Sequence, residues 1–244
     1  MVGVATLAIS VPASLTMLHQ QGIDVDLHGL TRRIGIGPAS AEDDEGPYRF
    51  TRRQPGGDDP VAYNPCRPIH VVRNLDVAPP GSSDVLDAAL EEVSKATGMT
   101  FVDDGTTDEL PRDDRPTRDP ARYGVGWAPV LVAWTTPEQD PGLAGPVAGL
   151  GGSTSVAKTL TARQHYVTGT VSLDAPALAE IMRRPGVGAP QARAIVMHEL
   201  AHVLGLGHVR DRGELMYDGN VGRLTFGPGD RHGLAMLGRA ACIG

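Results

Sequence analysis

The chain has 244 residues, enough for one sizeable core or one domain split by a cleft, and too few for two full domains of ordinary size. A formal net charge of -7 speaks against a nucleic-acid partner, which calls for a basic patch. With 31 Gly, 20 Pro and only 4% aromatic residues, the composition excludes a helical bundle and points to long irregular loops around short elements.

Val2 to Leu18 carries no charge and gives way to the polar His19-Gln20-Gln21. Residues 1–20 read as a signal peptide or membrane anchor, and either places the rest of the chain outside the cytoplasm. A buried core element is the alternative, because no Lys or Arg precedes the run, Pro12 interrupts it, and it is close to the minimum of about 17 residues for a spanning helix. Residues 21–60 show no sustained period and include the acidic run Glu42 to Glu45 and the Pro/Gly/Asp stretch Pro55 to Pro60. They read as a flexible linker or a short pro-segment.

From Ile69 the pattern tightens. Ile69 to Arg73 predicts a strand, and Asp84 to Ala96 an amphipathic helix whose apolar face carries Val85, Ala89, Val93 and Ala96, with Leu86 and Leu90 beside them. Ser82, Ser83 or Asp84 would cap it and Gly98 would end it. Met99 to Val102 predicts a second strand. Asp103 to Arg122 reads as a solvated charged loop; a structural calcium ion is the alternative there, but its carboxylates follow no recognised spacing. Val130 to Trp134 suits a strand buried on both faces, Val147 to Val156 an exposed glycine-rich edge strand, and Tyr166 to Leu173 a further strand. A helix with Pro190 in its first turn runs from Pro190 into the next segment, and Asp230 would cap a last helix over Arg231 to Arg239. The element order predicts an α+β fold with two main helices and an irregular tail.

The stretch His198-Glu199-Leu200-Ala201-His202-Val203-Leu204-Gly205-Leu206-Gly207-His208 reads H-E-x-x-H-x-x-G-x-x-H. On a helix His198 and His202 project from one face and can converge on one cation. Gly205 in a left-handed conformation would end the helix and bring His208 up as a third ligand. Three protein ligands leave one tetrahedral position open, the mark of a catalytic rather than a structural zinc site, and Glu199 stands beside it as a general base.

With Met216 following in Leu215-Met216-Tyr217, this stretch resembles the metzincin zinc metalloproteases, most closely bacterial matrixin-like domains. Pro65-Cys66-Arg67-Pro68-Ile69, Thr97-Gly98 before Phe101, and Gly229-Asp230 extend the resemblance over residues 61–244. It implies a zincin fold with a twisted mixed sheet of about five strands, an active-site cleft and a small irregular C-terminal subdomain ending in a helix. It further implies one catalytic Zn2+ on His198, His202 and His208, Glu199 as base, Met216 beneath the metal, and a protein or peptide substrate laid along the edge strand at Gly149, Leu150, Gly151 and Gly152. Val209 departs from the Ser usual in vertebrate matrixins, Tyr217 is not spaced as a zinc-ligating tyrosine, and no cysteine-switch sequence is present.

Cys66 and Cys242 flank the expected domain; a disulfide between them is the favoured reading over a latency thiol, because Cys66 lacks the surrounding latency motif. His70, His165 and His232 read as ordinary surface or core histidines, with no second metal expected. The function expected is that of a monomeric, extracellular, secreted or tethered zinc endopeptidase; the alternative is a non-catalytic zinc-containing module that binds peptides on the same fold.

Overall fold

The computed structural model describes residues 46–157, 159, 162–219 and 222–243. The signal or anchor reading of 1–20, and the linker reading of 21–45, lie outside the described residues. Among the described residues no helix is long and apolar enough to cross a membrane.

The fold is α+β around a mixed five-stranded sheet. Strands β1 (Ile69–Asn74), β2 (Phe101–Thr106), β3 (Val130–Thr135) and β5 (His165–Asp174) run parallel, β4 (Gly149–Val156) pairs antiparallel with β5, and the order is β2-β1-β3-β5-β4. All six residues of β3 are buried, as a central strand covered on both faces requires. Val71, Val132, Val171 and Leu173 join the main core under the helices, while Val72, Leu131 and Ala133 form a small cluster on the opposite face against Tyr123. On the helical face lie α1 (Ser82–Thr97) and α4 (Gly188–Leu204), which pack on each other, with α5 (Pro228–Gly238) against both.

Several expectations change in detail. The N-cap of α1 is Gly81 at φ 85°, with no side-chain cap; Ser83 lies inside the helix, where its Oγ accepts from Arg73 of β1 at 2.8 Å. Gly98 does end α1, at φ 74° with its N–H on the Ser94 carbonyl. The cap of α5 is Gly227, and Asp230 falls within the first turn, where its side chain accepts the Gly227 N–H at 2.9 Å. An eight-residue helix, α3 (Ala175–Met182), was not expected, although Asp174 caps it through the Ala177 N–H and Pro176 sits in its first turn.

Residues 46–52 lie against the domain, with Tyr48 and Phe50 buried in the main core, whereas residues 55–59 are exposed. Two isolated aromatics among polar residues carry too little periodicity to announce such a segment.

The acidic stretch after Met99 is likewise more ordered than its composition suggests. Strand β2 continues to Thr106, Asp103 pairs with Arg73 at 3.0 Å and Asp104 with His70 at 2.9 Å. Farther on, Arg115 is buried and grips the Glu109 carboxylate by two N–H donors at 3.0 Å each, while also donating to Thr168 Oγ1 and to the Pro129 carbonyl. The Tyr123 hydroxyl, from the short α2 (Pro120–Tyr123), donates to the same carboxylate at 2.6 Å. With its donors satisfied, this pair ties the loop to β5.

Candidate metal centre

Helix α4 is apolar nearly all round, from Ala192 to Leu204, so it runs through the core instead of over the surface. His198 and Glu199 are therefore buried, and His202 and His208 half-buried. The helix stops at Gly205, whose φ of 119° is one that a side chain would strain; its N–H closes on Ala201 and His202 carbonyls, and the Leu206 N–H returns to Ala201 at 2.9 Å. The reversed chain delivers His208.

The Nε2 atoms of His198, His202 and His208 lie 3.0 to 3.1 Å from one another. Hydrogen bonding among them does not account for this. His198 Nδ1 faces the Leu215 carbonyl at 2.8 Å and His202 Nδ1 the Leu206 carbonyl at 2.7 Å, contacts that place the single proton of each neutral ring on Nδ1. The Nε2 lone pairs of His198 and His202 are thereby left facing His208 Nε2. Tetrahedral zinc at about 2.0–2.1 Å from each nitrogen sets ligands about 3.3 Å apart, close to the spacing observed. The donor set thus fits a divalent cation such as zinc, and among the described residues it is a group of three that could hold one.

The support beneath the histidines is built from distant segments. The carbonyl that orients His198 belongs to Leu215, whose N–H is bound by Asp230 Oδ2, and Asp230 Oδ1 accepts the Met216 N–H at 3.3 Å. Burial, opposed by these backbone donors and reinforced by nearby Glu214, pushes the Asp230 carboxyl up to about 6. Glu214 in turn accepts the Gly229 and Asp230 N–H groups at 3.0 and 2.9 Å. Met216 is fully buried, and its carbonyl accepts the Val209 N–H at 2.9 Å. Val209, itself buried, is thus the residue that ties the end of the histidine stretch to the methionine turn.

A strap over residues 49–51 fixes the other side. Thr51 N–H donates to the Gly205 carbonyl and Gly207 N–H to the Arg49 carbonyl, both at 2.8 Å, so Phe50 pairs antiparallel with Leu206, two residues before His208. Thr51 Oγ1 adds a bond to Tyr166 Oη at 3.0 Å. Neither the strap nor the Glu214 and Asp230 pair was singled out as part of the site from the sequence; the N-terminal segment offered only Tyr48 and Phe50 as a sign of burial.

Strand β4 occupies a sheet edge, but it is half-buried instead of exposed. Its glycines have a specific reason. A Cβ on Gly149 would come within 2.8 Å of Glu199 Cγ, and one on Gly151 within 2.1 Å of the Glu199 carbonyl oxygen, so α4 lies on β4 at a distance that side chains would prevent. Ser153, next in the alternation, donates to the Val203 carbonyl at 2.8 Å. Leu150 and Gly152 alternate with these positions. We expect Gly151→Val to force α4 off the strand and to cost about 3 kcal/mol of stability. Chemical denaturation would measure it, and an unchanged midpoint would contradict the close approach.

Cys66 and Cys242 form a disulfide with Cα atoms 5.6 Å apart, and no cysteine is free among the described residues. A free latency thiol on Cys66 is thereby ruled out in this state. His70 pairs with Asp104, His232 stacks on Tyr48 with ring centres 4.9 Å apart, and burial holds His165 below the ordinary histidine value. A concavity of about 1130 Å³ lies beside Tyr123, Trp127 and His70, and the three converging histidines do not line it.

No protein-family model matches the sequence, and no curated protein matches it. Among solved structures, archaemetzincin (amzA) from Methanopyrus kandleri shows a likeness at TM-score 0.39 and 20% identity, covering 62% of this chain and 81% of that chain. So distant a likeness does not bear on the site or its chemistry.

Proposed function

We propose that this chain is a zinc-dependent endopeptidase of metzincin type, matrixin-like in its Leu215-Met216-Tyr217 turn, with a single catalytic zinc ion. The observation that carries the reading is the convergence of three histidine Nε2 atoms at 3.0 to 3.1 Å, two of them with Nδ1 committed to a carbonyl. Zinc held by His198, His202 and His208 would supply Lewis acidity, drawing the pKa of water toward ~7 and polarising a peptide carbonyl.

The remaining chemistry falls to the chain. Glu199, next to the first ligand and buried against β4, takes the proton of the attacking water and returns it to the leaving amine. The edge of β4 around Gly149, Leu150, Gly151 and Gly152, which no other described strand covers, takes up an extended peptide by strand addition. Met216 forms the apolar floor below the ligands. A surface-exposed disulfide supports an oxidising compartment, in keeping with secretion or tethering through residues 1–20. The catalytic unit takes in residues 46–60 together with 61–244.

Digestion of a denatured protein by the zinc-loaded chain tests the reading. Fragments should appear and should vanish with a chelator, and zinc should restore them; undigested substrate in the presence of stoichiometric bound zinc would refute the peptidase assignment.

A further inference from the structure

The concavity of about 1130 Å³ opens where Tyr123 packs on Val72, on the sheet face away from α1 and α4. Its aromatic wall is built to stay in place. Trp127 is 41% exposed, and the Arg118 guanidinium covers one face of its ring, 3.7 Å from the centre. Arg118 is not part of the lining, so the remaining ring surface is what the concavity meets. The turn that presents Val125 and Trp127 has Gly124 at φ 72° and Gly126 at φ 143°, both strained for a side chain, and the Ala128 N–H closes it on the Thr117 carbonyl at 2.9 Å. Tyr123 is held as firmly, its hydroxyl bonded to Glu109 at 2.6 Å and to Thr107 at 3.2 Å.

The polar lining narrows what the concavity can hold. Asp104 is engaged by His70 at 2.9 Å and Asp108 by Arg122, so a cationic ligand would have to displace partners already in place. Burial holds His165 below the ordinary histidine value, which keeps it neutral near pH 7. Arg67 lies exposed at the mouth and makes no enclosed cradle for an anion. An apolar ligand would strip water from Asn64, His70 and Thr106 with nothing in return. A neutral sugar chain meets each condition. The flat C–H face of a pyranose lies on an aromatic ring, and its hydroxyls, each a donor and an acceptor, suit a rim of mixed polar groups. The volume accommodates a ligand of several rings, and rings fixed beforehand lose little freedom on binding it.

We propose that this concavity is a binding site for a neutral oligosaccharide, stacked on Trp127 and hydrogen-bonded along the side formed by His70 and Thr106. It is separate from the histidine cluster and does not depend on the peptidase reading, which its success or failure leaves untouched.

Cellohexaose, chitohexaose and maltohexaose as neutral probes, and hexagalacturonate as a charged one, would be titrated into the full chain by calorimetry and by tryptophan fluorescence. Trp134 is 1% exposed, so a change in emission reports contact with Trp127. At least one neutral hexasaccharide should bind and shift that emission to the blue, with an affinity that added salt leaves unchanged. Trp127→Ala should weaken binding by about tenfold or more and Trp127→Phe by less. His70→Ala, at an exposed position, tests the polar side independently and should weaken binding without removing it. Thermal unfolding of each variant shows that the fold is retained. Three results would overturn the proposal: no binding by any neutral probe, binding that both Trp127→Ala and His70→Ala leave unchanged, or binding confined to hexagalacturonate and lost in high salt.

Discussion

Glu199→Gln should retain zinc at wild-type stoichiometry and lower kcat for peptide hydrolysis by about 10³- to 10⁴-fold. General-base catalysis by a positioned carboxylate contributes about 10²–10⁴, and Glu199 adjoins His198 on α4. Glutamine is the substitution of choice because Glu199 is 1% exposed and its side chain is packed against Gly149. An isosteric amide keeps that packing while losing the ability to accept the proton. Glu199→Ala should lose as much activity but would also leave a void beside β4. Metal analysis alongside steady-state kinetics decides the matter: undiminished turnover in the zinc-loaded glutamine variant would remove Glu199 from the mechanism, and lost zinc would show that it supports the metal instead.

Replacing both cysteines, as Cys66→Ser with Cys242→Ser, should lower stability by about 5 kcal/mol. The disulfide spans 176 residues of sequence, and in the chain-entropy view so long a loop gains near the upper end of what one cross-link provides. For a domain of this size the melting temperature should fall by roughly 10–20 °C. The bond joins the segment before β1 to the one after α5, and Asn64 Nδ2 donates to the Ile243 carbonyl at 2.8 Å close by, so the two ends are held in register by more than sulfur. Thermal unfolding of oxidised, reduced and double-serine protein would agree on the loss; indistinguishable curves would mean that the two segments stay docked without the bond. Because neither cysteine belongs to the histidine cluster, zinc content below the transition should not change.

The parts of the fold that were legible in the sequence are those whose signal is local. The i, i+4 histidines, the glycine that stops α4, the apolar face of α1 and the run of buried residues in β3 are each set by periodicity or by backbone freedom within a few residues. Errors arose where local cues were ambiguous: three polar residues at the start of α1 suggested a cap that Gly81 provides, and Asp230 looked like the cap of a helix that begins at Pro228.

Composition misled where charge or glycine content stood in for geometry. Glu109 and Arg115 contributed to an apparently solvated loop, yet they form a buried pair that fastens it to β5, since partners rather than counts decide whether a charge can be buried. Gly149 and Gly151 suggested exposure, whereas they are there to let a helix approach.

By itself, then, the sequence determined the donors and their order along one helix and turn, because that geometry follows from helical pitch and one glycine. Only the tertiary structure decided what holds those donors still: the Leu215 carbonyl on His198, Asp230 and Glu214 under the methionine turn, and the strap of residues 49–51 beside Leu206. These contacts join segments far apart in the chain, and nothing in the spacing of residues encodes which backbone carbonyl will meet which side chain once the core has closed.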